Sequence, residues 1–138
     1  MFDLDMEPPE GCRQAIIAAC NLVYGLADLS RNLTGELETP LKMGIGIHTG
    51  PAVVGHMGYG LAVYFTAVGD TVHVASRLQD LTKEHNCQVI ISDQVAQRAE
   101  IDISKFPHYK MVVRNRRNSI SVITIDDVQG LEEGLKRK

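Results

Sequence analysis

Two stretches decide the fold of this chain: GIGIHTGP at residues 44–51 and FTAVGDTVHVASRL at residues 65–78. In the first, isoleucines alternate with glycines until Thr-Gly-Pro ends the pattern, which predicts a strand over Lys42–His48. In the second, a β-forming run leads through Gly-Asp into apolar residues at helical spacing. It predicts a strand over Ala62–Val68 and a helix over Thr71–His85.

The helix of the second stretch is amphipathic. Asp70 is predicted to be its N-cap, because aspartate side chains accept hydrogen bonds from the free amides of a first turn. One face is apolar and consists of Val74, Ala75, Leu78, Leu81 and Thr82. The opposite face is polar and consists of His73, Arg77, Asp80 and Glu84. We therefore expect Arg77 to face solvent or a ligand, while the apolar face is buried.

The flanking sequence completes the order α-β-β-β-α-β-α-β-β, typical of an α+β or α/β layered domain. The remaining predicted elements are a helix over Pro9–Asn32, strands over Ala52–Met57, Gln88–Ser92, Tyr109–Val113 and Ser119–Ile125, and a short helix that ends near Ala99. We place the domain at residues 1–128 and a tail at 129–138. The part of that tail beyond Gly130 is expected to be a frayed helix or to lack order.

The composition indicates one domain in 138 residues, with 44% apolar residues and a net charge of −3. Positive and negative residues are mixed along the chain, which does not favour a protein that coats nucleic acid. The sequence shows no signal peptide and no apolar run that would span a membrane, so we expect a cytoplasmic chain without membrane contact. Three cysteines without close pairing favour buried thiols over a disulfide framework.

Two other site classes fit the sequence poorly. The glycines of residues 44–55 are not followed by the Gly-Lys-Ser/Thr of a phosphate-binding P-loop, so tight turns and close packing explain them better. The five histidines have no spacing typical of zinc ligands. We predict no metal site in this chain.

The two decisive stretches together resemble the class III adenylate/guanylate cyclase catalytic domain, whose characteristic runs are similar to GIHTGPVVAG and YTVVGDTVNxASRL. The resemblance extends from about Met1 to about Ile125. It implies part of a ferredoxin-like α+β domain, with a mainly antiparallel sheet and packed helices. It also implies a nucleotide cyclase, most similar to the adenylate cyclases that convert ATP to cyclic AMP and pyrophosphate.

The resemblance assigns catalytic roles to Arg77 and His73. The planar guanidinium of Arg77 matches phosphate oxygens, and charge builds on those oxygens during cyclisation. The alternative is a surface arginine paired with Asp80 or Glu84. His73 stands where the family usually has asparagine, which is thought to orient the ribose. An imidazole still donates a hydrogen bond but titrates near neutrality, so either activity is reduced or the site is retuned. The alternative is a solvated helix histidine.

The resemblance assigns substrate binding to Thr66 and Arg116. Thr66 is at the purine-reading position, where a hydroxyl can donate to or accept from adenine; it is also a good strand former in any case. Arg116 matches a basic residue that holds the triphosphate. Asn115 replaces the usual glycine of that run, so Arg114 or Arg117 is an alternative, as is a solvated basic turn.

The resemblance also implies two divalent metals, Mg²⁺ or Mn²⁺, in the complete domain. We expect their aspartate ligands, and a lysine that reads the purine, upstream of Met1. Asp3 and Asp5 follow that position and are poor substitutes. The sequence therefore predicts an incomplete fragment that is inactive alone and binds no metal. Its expected partners are ATP and a homodimeric or other cyclase-domain partner.

Two functions remain open at this point. The first is an adenylate cyclase whose upstream half lies outside this sequence. The second is a non-catalytic cyclase-like module that binds or regulates another domain; His73 and the expected absence of the aspartates favour it. An unrelated α+β binding domain would not account for both stretches.

Overall fold

A computed structural model describes residues 8–33, 35–36, 41–112 and 119–136. These residues form a mixed four-stranded sheet, a separate β-hairpin and four helices. In chain order the elements are α1 (Pro8–Asn32), β1 (Ile45–Ile47), β2 (Val53–Tyr59), β3 (Ala62–Val68), α2 (Asp70–Glu84), β4 (Val89–Ser92), α3 (Asp93–Ala99), β5 (His108–Val112), β6 (Ser119–Ile125) and α4 (Val128–Lys136).

The larger sheet has the strand order β1-β4-β6-β5. β1 pairs with β4 in parallel, with Ile45 opposite Val89, while β4, β6 and β5 pair antiparallel. All four residues of β4 are buried, as expected for a strand covered on both faces. The expected α+β cyclase-type fold is confirmed, with a parallel pair at one edge of the sheet.

Helices cover both faces of this sheet. On one face, α1, α3 and α4 pack with alternate residues of β4 and β6, such as Ile91 and Ile123. On the other face, α2 packs with Ile90, Met111 and Val122. Since successive residues of a strand point to opposite faces, each inner strand contributes to both clusters.

The hairpin of β2 and β3 forms its own two-stranded sheet. Most of its large apolar side chains are exposed: Val53, Tyr59, Leu61, Val63, Tyr64, Phe65 and Val68. A lone two-stranded hairpin is only marginally stable in water. This element therefore lacks the packing that stabilises the larger sheet.

The helix after β3 was predicted well except at its first residue. Val74, Leu78, Leu81 and Thr82 are buried and Arg77 is exposed, as predicted. The N-cap prediction was wrong: Gly69 is the cap residue, and Asp70 is the first residue of α2. Gly69 adopts a positive φ in the turn before the helix, and α2 therefore begins at Asp70, one residue earlier than predicted.

Of the two alternatives predicted beyond Gly130, a frayed helix or a segment without order, the described residues show a helix, because α4 continues to Lys136, but it is packed rather than frayed. Leu131 and Leu135 are buried in the core beside α1. The guanidinium of Arg13 also donates to the Leu135 and Ala99 carbonyls, at 2.8 Å each, and so satisfies two helix C-termini. The domain division at residue 128 stays a prediction.

A second group of contacts holds α4 to α1. The Tyr24 hydroxyl donates to Glu132 Oε2 at 3.0 Å, and this bond to a carboxylate raises the pKa of Tyr24. Burial, assisted by the charge of Glu132, raises the pKa of the Cys20 thiol to about 11. Cys12, Cys20 and Cys87 form no disulfide, and Cys12 and Cys20 are buried, as expected for thiols rather than a disulfide framework. No helix among the described residues is long and apolar enough to cross a membrane.

Candidate active site

The glycines of the first decisive stretch allow α2 to pack closely against β1. A Cβ at Gly46 would lie 2.5 Å from the Ala75 carbonyl oxygen and 2.6 Å from the Gln79 nitrogen. Both atoms belong to the α2 backbone, so no side-chain adjustment would relieve the clash. The two stretches that decide the fold are thus in direct contact, and β1 fixes the position of the helix that carries His73 and Arg77.

The connection from β3 to α2 is equally constrained. Gly69 has φ 137°, a left-handed conformation that L side chains rarely adopt. Two residues later, the Thr71 hydroxyl donates to the Pro51 carbonyl at 2.6 Å. This bond ties the first turn of α2 to the loop that follows β1. The start of the helix is therefore held at Gly69 and at Thr71.

His73 and Arg77 lie four residues apart on the exposed face of α2, and neither side chain is buried. Arg77 Nη2 is 3.9 Å from Glu84 Oε1, and the two side chains are 50% and 61% exposed. An ion pair this long and this exposed contributes at most about 1 kcal/mol to stability. The guanidinium is held only loosely and is available to an anionic ligand.

Thr66 lies half-buried on β3, opposite Gly55 of β2. Only two residues separate Thr66 from the Gly69 turn, so Thr66 lies close to the start of α2 along the chain. Arg116 lies outside the described residues, as do Arg114, Asn115 and Arg117. Their roles stay predictions.

A polar cluster at the carboxyl ends of β1 and β4 was not identified from the sequence. His48 Nδ1 lies 2.9 Å from the hydroxyl of Ser92, which is fully buried, and Arg98 donates to Thr49 Oγ1 at 2.7 Å. Parallel pairing of β1 and β4 brings these groups together. No local pattern indicates this cluster, because the two residues of each pair are 44 and 49 positions apart in the chain. These bonds hold His48 and Thr49 at the start of the loop after β1. The same loop carries the Pro51 carbonyl that accepts the hydrogen bond from Thr71.

The described residues offer no donor set for the implied metals. No group of three or more histidines, cysteines, aspartates or glutamates gathers among residues 8–33, 35–36, 41–112 and 119–136. Divalent magnesium and manganese prefer carboxylate oxygens. The described part of the chain therefore does not fit the metals.

Residues 4–124 match the family described as the Adenylate and Guanylate cyclase catalytic domain. Because this match covers most of the chain, the protein belongs to that family. The chain is 41% identical over 63 residues to an adenylate cyclase of Anabaena cylindrica and 46% identical over 61 residues to adenylate cyclase 1 of Rhizobium meliloti (strain 1021). These matches cover 45% and 44% of this chain but only 12% and 9% of those proteins.

Solved structures support the same fold. The guanylyl cyclase Cya2 superposes with a TM-score of 0.74 at 20% identity, covering 89% of this chain and 61% of Cya2. A bacterial light-regulated adenylyl cyclase superposes with a TM-score of 0.59 at 23% identity, covering 93% of this chain and 38% of that one. At these identities the likeness establishes the fold alone.

Proposed function

We propose that this chain is one part of an adenylate cyclase domain that converts ATP to cyclic AMP and pyrophosphate. The observation that carries the proposal is the placement of His73 and Arg77. They share the exposed face of a helix whose opposite side is locked to β1 by glycines, within the segment that matches the family. Such a helix holds the backbone of both residues in place on one face, so both side chains can reach the same ligand, as catalysis by charge stabilisation requires.

In this reaction the ribose 3′-oxygen attacks the α-phosphorus. The new O–P bond closes the ring, and the bond from the α-phosphorus to the oxygen that bridges to the β-phosphate breaks. Pyrophosphate leaves with the bonding electrons, and the 3′-hydroxyl proton passes to solvent. Arg77 binds the oxygens on which negative charge grows, and its five fixed donors suit that role better than a lysine ammonium would.

The other proposed site residues position the nucleotide. His73, one turn before Arg77, donates to the ribose or its ring oxygen. The Thr66 hydroxyl on β3 reads the purine, and either hydrogen-bonding pattern of adenine can be met by rotating the hydroxyl. Arg116 holds the triphosphate. The adenylate cyclases among the relatives support ATP as substrate.

The rest of the domain would complete the site. We propose that Mg²⁺ or Mn²⁺ is held by carboxylates outside the described residues, where it would supply Lewis-acid chemistry. We also propose a second cyclase-type domain as the partner. The exposed apolar side chains of β2 and β3 support this, because an uncovered patch of that kind typically marks an interface. The chain would then act in the cytoplasm, free or as part of a larger membrane-attached protein.

The decisive test uses the complete cyclase domain that contains this chain, supplied with Mg²⁺ or Mn²⁺ and with ATP or GTP in separate reactions. Chromatography of the products should show cyclic AMP from ATP and little cyclic GMP from GTP. The 138-residue chain alone should form neither product. Predominant cyclic GMP would overturn the substrate assignment, and turnover by the chain alone would overturn its status as a part.

A second candidate function is a non-catalytic cyclase-like module that regulates a partner domain. His73 favours it, because the helix places an imidazole where the family usually has a neutral amide. In that case the complete domain forms neither cyclic nucleotide from either substrate, and a partner's turnover changes when the chain is added.

A further inference from the structure

The first half of the loop between β1 and β2 is held by both ends of α3. His48 Nδ1 lies 2.9 Å from the hydroxyl of Ser92, and Arg98, in the last turn of α3, donates to Thr49 Oγ1 at 2.7 Å. Ser92 is the N-cap residue of α3, yet its side chain makes no capping hydrogen bond. Serine is favoured at this position because its hydroxyl caps the amides of the first turn. Here the hydroxyl meets His48, so the contact with the loop replaces the cap.

The second half of the same loop holds the start of α2. The Thr71 hydroxyl donates to the Pro51 carbonyl at 2.6 Å. Gly50 leaves the space that this bond needs, because a Cβ at Gly50 would lie 2.6 Å from Thr71 Oγ1. A methyl group at residue 50 would therefore push the hydroxyl away from Pro51. Four successive residues, the HTGP segment at 48–51, thus link α3 to the first turn of α2.

The first turn of α2, residues 70–73, contains no buried residue. Thr71 is partly buried, and Val74 is the first residue of the helix that the core covers. Helix ends fray where contacts do not hold them. The bond from Thr71 to Pro51 therefore fixes the turn that carries His73. Arg77 lies beyond Val74, on the part of the helix that the core already holds.

We propose that the HTGP segment positions the candidate active site, and that Thr71 is the positioning residue through which it acts. By tying the first turn of α2 to the loop after β1, Thr71 sets the place of His73 relative to the bound nucleotide. The inference rests on the proposed function for the role of His73. The hold on the helix itself rests on the described contacts alone.

A matched pair of substitutions at residue 71 tests the hold on the helix. Thr71→Val keeps the shape of the side chain and removes the hydroxyl, whereas Thr71→Ser keeps the hydroxyl. The His73 amide donates to the Gly69 carbonyl in the first turn, so its hydrogen exchange reports fraying. In the complete cyclase domain that contains this chain, Thr71→Val should speed this exchange at least about tenfold. Thr71→Ser should leave it unchanged, and both variants should leave the Leu78 amide unchanged.

A substitution in the loop tests the same contact from its other side. The methyl group of Gly50→Ala should displace the Thr71 hydroxyl and speed exchange at the His73 amide, as Thr71→Val does. Gly25→Ala on α1 is the control, because a Cβ at that glycine meets nothing within 4 Å. The control should leave exchange at His73 unchanged.

Steady-state kinetics of the complete domain separate positioning from stability. With ATP and Mg²⁺ or Mn²⁺, Thr71→Val should lower kcat at least about tenfold, because a misplaced group acts poorly on the bound substrate. KM for ATP should change less than about threefold, and Thr71→Ser should keep both values. In a His73→Ala background, Thr71→Val should lower kcat less than about twofold, since residues that act through one another are not additive. A loss of stability alone would lower the active fraction equally in both backgrounds.

Three results would overturn the proposal. They are equal exchange at the His73 amide in Thr71→Val and Thr71→Ser, an unchanged kcat in Thr71→Val, and an equal fall in kcat with and without the His73 imidazole. If the unaltered complete domain forms no cyclic nucleotide, the proposed function fails, and the active-site role of Thr71 fails with it. The exchange comparison then still decides whether Thr71 holds the first turn of α2.

Discussion

The four-stranded sheet and the β2–β3 hairpin are built from similar amino acids but packed very differently. β6, SISVITI, and β3, AVYFTAV, are both rich in β-branched and apolar residues. In β6 the last four residues are buried, whereas in β3 no residue is. The difference comes from the helices, which cover both faces of β6 but leave most of the large hairpin side chains exposed in the described part of the chain. Strand composition thus indicates β structure without indicating which strands are stabilised by the chain's own core.

Truncation of one large apolar side chain in each region should give the largest contrast. Ile91→Ala removes a side chain buried in the core, and the loss of packing plus the cavity should lower the free energy of unfolding by about 2–5 kcal/mol. Phe65→Ala on β3 starts from a side chain that is 52% exposed and should cost less than about 1 kcal/mol. Urea denaturation measures both. Similar losses would mean that the hairpin is packed as firmly as the sheet.

The helix between the two regions allows catalysis to be separated from stability. Arg77→Ala in the complete cyclase domain should lower kcat by about 100-fold or more, because a charge-stabilising donor is lost. The free energy of unfolding should change by less than about 1 kcal/mol, since the pair with Glu84 is long and exposed. Glu84→Ala, which removes the other partner, is the control and should leave kcat unchanged. Equal effects of the two changes would assign Arg77 to the ion pair alone.

The glycines of the two regions offer a matched comparison on strands. Gly46→Ala places a methyl group against the α2 backbone and should cost about 1–3 kcal/mol of unfolding free energy. Gly55→Ala on β2 meets nothing within 4 Å and should be neutral or slightly stabilising. Thermal unfolding of both variants tests whether the glycine of β1 packs closely on α2 and the glycine of β2 does not. A neutral Gly46→Ala would contradict the close approach of α2 to β1.

The smallest predicted effect concerns His73. His73→Asn in the complete domain should raise kcat by about tenfold or less, equivalent to ~1.4 kcal/mol. The reason is that asparagine restores the residue that the family usually carries at this position. Initial rates of the two forms under the same conditions provide the measurement. An unchanged rate would show that His73 does not contact the nucleotide and is a solvated helix residue.

Local patterns predicted most elements because they depend on nearest neighbours. The alternation around Ile45 and the helical spacing from Val74 to Leu81 each require only a strand or a helix with one buried face. One error was local, because the positive φ at Gly69 makes that residue the cap in place of its neighbour Asp70. The other occurred where distant residues decide, because the docking of Leu131 and Leu135 on α1 ordered a helix that the sequence alone left uncertain.

The sequence by itself determined the family, the order of the elements and the exposed position of His73 and Arg77 on one helix. These follow from motifs and periodicities within a few turns of chain. Only the tertiary structure decided that Gly46 lets α2 pack closely on β1 and that His48 meets the buried Ser92. Each of these contacts joins residues distant in sequence, and no local pattern encodes which distant residues meet.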